Sequence, residues 1–164
     1  MRLGSQLKTL RSRQAGQRIE DGWDPISEEY ARGYAEWEWA QADSIRQTVD
    51  RVESWIGGLA GKRVLDLGGG PGQFTVAMGL RGASVTWHDP SRRYLAIAQQ
   101  YARERGVQFE HSLGYLEDAT RLASQPFDAV FNRICWCYCL SDRAFSRLVY
   151  RLVAPGGSAY IDTN

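Results

Sequence analysis

Two carboxylates and a run of glycines are the residues best placed to do chemistry in this chain. Val64-Leu65-Asp66-Leu67 is a short apolar run interrupted by one acid, and Gly68-Gly69-Gly70-Pro71-Gly72 follows it directly. The pattern predicts a buried strand, a glycine turn and then the first turn of a helix. Glycines at such a turn let a ligand lie directly against main-chain amides at a helix N-terminus. A carboxylate inside a strand is costly unless it is hydrogen-bonded, so Asp66 brings one fixed negative charge to that ligand. Backbone contact and a nearby charge together suit a nucleotide-type cofactor.

A dinucleotide site needs G-x-G-x-x-G, with a helix N-terminus facing a pyrophosphate. Here Gly68, Gly70 and Gly72 give G-x-G-x-G, and Gln73 stands where the last glycine of the dinucleotide spacing would fall. The Asp66 carboxylate suits a cationic group better than a phosphate. S-adenosylmethionine carries a sulfonium and an α-ammonium and has no phosphate. Asp66-Leu-Gly-Gly-Gly-Pro-Gly72 resembles the first motif of the class I S-adenosylmethionine-dependent methyltransferases.

Further segments fall in the order that this family requires. Ser84–Asp89 reads as a second strand ending in an acid, and a carboxylate there can accept hydrogen bonds from both ribose hydroxyls. The resemblance makes Asp89, with Pro90 beside it, the ribose end of the cofactor site. Ser91 is the predicted N-cap of a helix carrying Tyr94, Leu95, Ala98 and Tyr101 on one face, with Gly106 as its stop. Val107–Glu110 is the predicted third strand. Pro126–Asn132 resembles the fourth, with Asp128 near its start. Asp142–Leu152 repeats apolar residues at helical spacing, Ala154-Pro-Gly-Gly157 ends that helix, and Ser158–Asp162 is the predicted fifth strand.

The resemblance covers residues 62–162. It implies an α/β fold, a doubly wound and mostly parallel sheet of order 3-2-1-4-5 with helices on both faces. It also implies S-adenosylmethionine as cofactor, S-adenosylhomocysteine as product, and methyl transfer as the reaction. The cofactor residues carried over are Asp66, Gly68, Gly69, Gly70, Gly72, Asp89, Pro90, Ser112, Leu113, Asn132 and Arg133. The acid that many relatives place after the third strand, facing the adenine, is replaced by Ser112-Leu113-Gly114. The adenine is then left to backbone groups, to Ser112 or to a neighbouring acid such as Glu117. Relatives continue past the fifth strand with a helix and a hairpin that supplies strands six and seven. The sequence ends at Asn164, so that hairpin is expected to be missing, and a homodimer or partner chain covering the fifth strand is one consequence.

Three regions are expected. Residues 1–22 form a basic, glutamine-rich arm with few large apolar groups, read first as a flexible terminus and second as a weak anionic contact. Residues 23–60 form a helical region that the resemblance makes a lid. Asp24 is its predicted N-cap and Pro25 its first helical residue, with two helices bent near residues 38–43. Residues 61–164 form the cofactor-binding core. The aromatic stripe Tyr30, Tyr34, Trp37 and Trp39 is read first as core packing. The second reading lets Tyr30 and Tyr34 line an acceptor pocket, together with Trp136 and Tyr138 after the fourth strand.

Cys135-Trp-Cys-Tyr-Cys139 lacks paired C-x-x-C spacing, so these thiols are read as structural and no metal is expected. His88 and His111 are likewise read as structural. No catalytic residue is assigned: a base is needed only where the acceptor must lose a proton, and Tyr138 is the nearest candidate.

At 164 residues, 43% hydrophobic and 24% charged, the chain can bury a core. A net charge of +1 gives no pull toward nucleic acid or an anionic membrane, and no apolar run is long enough to span a bilayer. The expected setting is cytoplasmic. Strand four is followed by Asn132-Arg-Ile-Cys135, not by the Asn-Pro-Pro-Tyr-type tetrapeptide of amino-directed nucleic-acid methyltransferases, which favours a small-molecule acceptor. Two other readings stay open. One is a non-catalytic S-adenosylmethionine-binding or scaffold protein that needs a partner; the other is an aminopropyl transferase using the decarboxylated cofactor.

Overall fold

A computed structural model describes residues 19, 22–139 and 141–162. The basic arm expected over residues 1–22 lies outside the described residues, apart from Ile19 and Gly22. The described strands are β1 (Arg63–Leu67), β2 (Ser84–Asp89), β3 (Glu110–Leu113), β4 (Phe127–Arg133) and β5 (Val153–Asp162). They form one parallel sheet of order β3-β2-β1-β4-β5, as expected. The helices are α1 (Glu28–Trp39), α2 (Ala42–Ile56), α3 (Gln73–Gly79), α4 (Arg92–Glu104) and α5 (Asp142–Leu152). Two 3-10 helices, Leu116–Ser124 and Cys135–Tyr138, follow β3 and β4.

β1 lies at the centre because both of its faces are apolar. Val64 points into a cluster with Ile45, Val49 and Val52 of α2, Phe74 and Met78 of α3, and Phe131 of β4. Leu65 and Leu67 point the other way, onto Phe145, Leu148, Val149 and Leu152 of α5. Covering both faces is what a parallel sheet requires, and it leaves the strand carboxyl ends as the place where loops converge. Asp66 shares the parity of Val64, so its carboxylate is directed toward α3.

Four local expectations change. α1 is capped by Ser27, whose side chain accepts from the Tyr30 amide, not by Asp24. The Asp24 carboxylate instead accepts from the Ser91 hydroxyl at 3.0 Å and from the amides of Ile26 and Arg93 at 3.1 and 3.0 Å. Tertiary partners outcompete the local cap. β3 starts at Glu110 because the Val107 amide is bound to the Ala102 carbonyl, which holds that residue at the end of α4. β5 starts at Val153, which pairs with Phe127 across a bulge, so Ala154-Pro-Gly-Gly157 lies within the strand. The aromatic stripe of α1 is not its buried face. Ala31, Ala35 and Glu38 are buried, while Tyr30 and Trp37 are 50% and 57% exposed. The expected bend falls between α1 and α2, at Ala40 and Gln41. Among the described residues no helix is long and apolar enough to cross a membrane.

Candidate cofactor site at the strand carboxyl ends

Asp66 is 3% exposed and accepts from the Thr75 hydroxyl at 2.5 Å. Burial pushes its carboxyl up to about 6, against the opposing hydrogen bonds from Thr75. Asp89 is 7% exposed at the end of β2, and its two oxygens accept from the Gly70 amide at 3.1 Å and the Ser91 amide at 2.9 Å. Desolvation raises it to about 7; its two backbone bonds act the other way, and the Asp66 and Asp24 charges add to the rise. Two desolvated acids thus stand close enough to repel each other. Both would be relieved by a ligand that brings positive charge or hydroxyl donors.

The glycine loop runs between them. The Gly70 backbone has φ 49°, and a Cβ there would meet nothing within 4 Å, so the loop is open on that side while its N–H is held by Asp89. Gly68 differs: a Cβ would lie 2.6 Å from the Cys135 sulfur, so only glycine admits the turn after β4 this close. That turn is itself strained. Ile134 has φ 69°, a left-handed conformation costly for a β-branched residue, and its amide is held by the Asp162 carbonyl at 2.8 Å.

Asn132 is fully buried and donates from Nδ2 to the Leu67 carbonyl at 2.6 Å. Its Oδ1 has no hydrogen-bond partner among the described residues, and neither has Oε1 of buried Gln73 at the start of α3. An unpartnered buried acceptor is expensive, which makes two of them beside one glycine loop informative. Unpartnered acceptors and ionisable acids beside a glycine loop fit a ligand bearing an ammonium and hydroxyls, as S-adenosylmethionine does.

Arg133 ends β4, with its guanidinium 3.1 Å from Glu38, 3.6 Å from Asp162 and above the Phe74 ring. Glu38 is a site residue that sequence reasoning missed. It is 1% exposed on α1 and takes hydrogen bonds from Tyr34 at 2.8 Å, Gln73 at 2.7 Å and Arg133. A lone glutamate on an amphipathic helix reads as solvated, so only its place at i+4 from Tyr34 hinted otherwise. Trp39 ties the same helix to the loop by donating to the Pro71 carbonyl at 3.1 Å.

Tyr34 stacks with Tyr30 and contacts Tyr94, with centroids 6.0 and 5.9 Å apart. The phenols of Tyr30, Tyr34 and Tyr94, the Cys135 thiol and Asp89 lie near enough to perturb one another electrostatically. Tyr138 belongs to the same group, and burial pushes its phenol up to about 12. It is therefore protonated at neutral pH and suited to donating a hydrogen bond rather than to taking a proton. Trp136 packs instead against the cluster under α5. On the opposite side, Ser112 and Leu113 lie beside His88 and Asp89 in the β2–β3 register, both half-buried. His88 is buried with Nε2 donating to the Tyr115 carbonyl at 2.9 Å, and desolvation lowers its pKa; His111 is exposed. None of the three cysteines forms a disulfide among the described residues, and no cluster of potential metal ligands occurs among them.

Residues 64–157 match a family described as a methyltransferase domain. A ubiquinone biosynthesis O-methyltransferase from Pseudomonas savastanoi pv. phaseolicola is 37% identical over 113 residues, 67% of this chain and 49% of that protein. The chain thus spans about half the length of this relative. Magnesium protoporphyrin IX methyltransferase from Synechocystis PCC 6803, solved with bound S-adenosylmethionine, is 27% identical and superposes with a TM-score of 0.53. That match covers 65% of this chain and 53% of the other. A candidate S-adenosyl-L-methionine-dependent methyltransferase from Methanococcus maripaludis superposes with a TM-score of 0.68 over 88% of this chain and 64% of its own; at 18% identity it speaks for the fold alone. The chain belongs to the class I S-adenosylmethionine-dependent methyltransferases.

Proposed function

We propose that the chain binds S-adenosylmethionine across the carboxyl ends of β1, β2 and β4 and transfers its methyl group to a small aromatic acceptor. The observation that carries this reading is the pair of buried carboxylates, Asp66 and Asp89, both raised by desolvation, on either side of the glycine loop whose Gly70 amide donates to Asp89. Asp89 would accept from the ribose hydroxyls. Asp66, the glycine loop and the unpartnered Asn132 oxygen would serve the amino-acid end. Ser112 and Leu113 would flank the adenine, with Pro90 closing the turn after the ribose acid.

The cofactor, when bound, supplies a methyl group already activated by its sulfonium. The task left to the protein is to hold the acceptor in line and exclude water. Tyr30, Tyr34 and Tyr138 are our acceptor residues, as flat surfaces carrying hydroxyl donors. The O-methyltransferase relative supports an oxygen acceptor. A reducing, cytoplasmic setting agrees with three cysteines that form no disulfide among the described residues. β5 is an edge strand of the described sheet, and a second copy or further chain would pair there.

Calorimetric titration with S-adenosylhomocysteine, with NAD as control, tests the reading. Saturable micromolar binding of the first alone is expected. A folded chain that binds neither would overturn it.

A further inference from the structure

We infer that Glu38 is a positioning residue for the amino-acid end of the cofactor, acting through Gln73 and Arg133; this rests on the proposed binding of S-adenosylmethionine. A carboxylate that is 1% exposed needs several donors to be tolerated, and Glu38 has them on three different elements. Tyr34 comes from its own helix, Gln73 from the first turn of α3, and Arg133 from the end of β4. The last two flank the N-terminus of α3, where the glycine loop ends.

The consequence for Gln73 is chemical. A carboxylate can only accept, so it must take the Nε2 face of the Gln73 amide, at 2.7 Å. The Gln73 Oε1 is thereby turned away from Glu38, and it is buried without a partner among the described residues. It is an acceptor held ready for a donor, and the α-ammonium brings three. The consequence for Arg133 is one of place. Glu38, Asp162 and the Phe74 ring fix its guanidinium from three sides, leaving other edges of the fork for an α-carboxylate. Glu38 would touch no cofactor atom. It sets one acceptor and one cation at the spacing a zwitterion needs.

Glu38→Gln is the discriminating change, because it keeps size and hydrogen bonding but can meet either face of Gln73. Titration of wild type and E38Q with S-adenosylhomocysteine and with 5′-methylthioadenosine, which lacks the amino-acid end, separates the roles. E38Q is expected to weaken S-adenosylhomocysteine about tenfold, the loss of one charge-assisted contact, and to leave methylthioadenosine within about twofold. Trp39→Phe, which unties the same helix from Pro71 without touching Gln73 or Arg133, should not reproduce that split. Equal weakening of both ligands by E38Q would assign Glu38 to lid packing alone. Unchanged affinity for both would also overturn the inference. Failure of wild type to bind S-adenosylhomocysteine at all would sink the parent reading instead.

Discussion

Asp89 separates binding from stability more cleanly than any other residue here. Its oxygens already take two backbone amides, from Gly70 and Ser91, yet desolvation still holds its carboxyl up at about 7. The ionised form is therefore a cost to the ligand-free fold and an asset to a ligand with hydroxyl donors. Asp89→Asn keeps the shape and one acceptor oxygen but removes the charge. S-adenosylhomocysteine should bind about ten- to a hundredfold more weakly, roughly 1.5–3 kcal/mol for hydrogen bonds to a charged group. The variant's amide nitrogen must then face one of the two backbone N–H groups, a cost of about 1–3 kcal/mol set against relief of the buried charge, so without ligand it should melt close to wild type at pH 8. Unchanged affinity would remove Asp89 from the ribose end; a large loss of melting temperature would make it structural. The sequence exposed this acid because strand β2 ends on it. It hid Glu38, two of whose partners stand 35 and 95 residues away; only Tyr34, four residues before it, is local.

Among the elements, the segment leading into α1 has the most to teach about what spacing can reveal. β2 and α5 have the limits expected of them because periodicity, caps and stops agree there. Ser91 and Ser141 both cap as N-cap serines do, accepting from the amide three residues on. Asp24 looks like such a cap but is used to pin the segment before α1 to the start of α4. Its carboxylate is buried and sits over the N-terminal amides of that helix, where a negative charge is favourable. Asp24→Ala should cost about 1–3 kcal/mol, because the Ser91 hydroxyl and Arg93 amide lose their shared acceptor. The loss should be local: hydrogen exchange should quicken in α1 and the first turn of α4 while β1 and β4 stay protected. Uniform acceleration would mean that Asp24 supports the whole fold rather than the docking of one helix. The stripe of tyrosine and tryptophan on α1 misleads for a related reason. Its small residues Ala31 and Ala35 are the buried ones, Ala31 packing with Trp87 of β2 and with Tyr94 and Leu95 of α4, which leaves the rings of Tyr30 and Trp37 exposed.

At the scale of the whole molecule, two groups of buried titrating side chains pull stability in opposite directions. Asp66 and Asp89 hold protons at about 6 and about 7, above the ordinary 3.8 of the unfolded chain. The native state then binds protons more tightly, so their contribution is greatest at acid pH and is lost as pH rises from about 4 to about 7. His88 is lowered by burial from its ordinary 6.5, so the native state prefers the neutral ring and loses stability as pH falls through that value. The ligand-free chain should accordingly be most stable on the acid side of neutrality. A ligand with an ammonium and ribose hydroxyls stabilises the ionised acids and draws their protons off. The rise in melting temperature produced by S-adenosylhomocysteine should therefore grow between pH 5.5 and pH 7.5, by up to ~1.4 kcal/mol per pH unit for each proton released. Calorimetry at pH 6.5 should show heats that depend on the ionisation enthalpy of the buffer, and D89N should lose part of that dependence. A ligand shift that stays flat across this range would show that neither acid meets the cofactor, and the burial of their charge would then need a purely structural account.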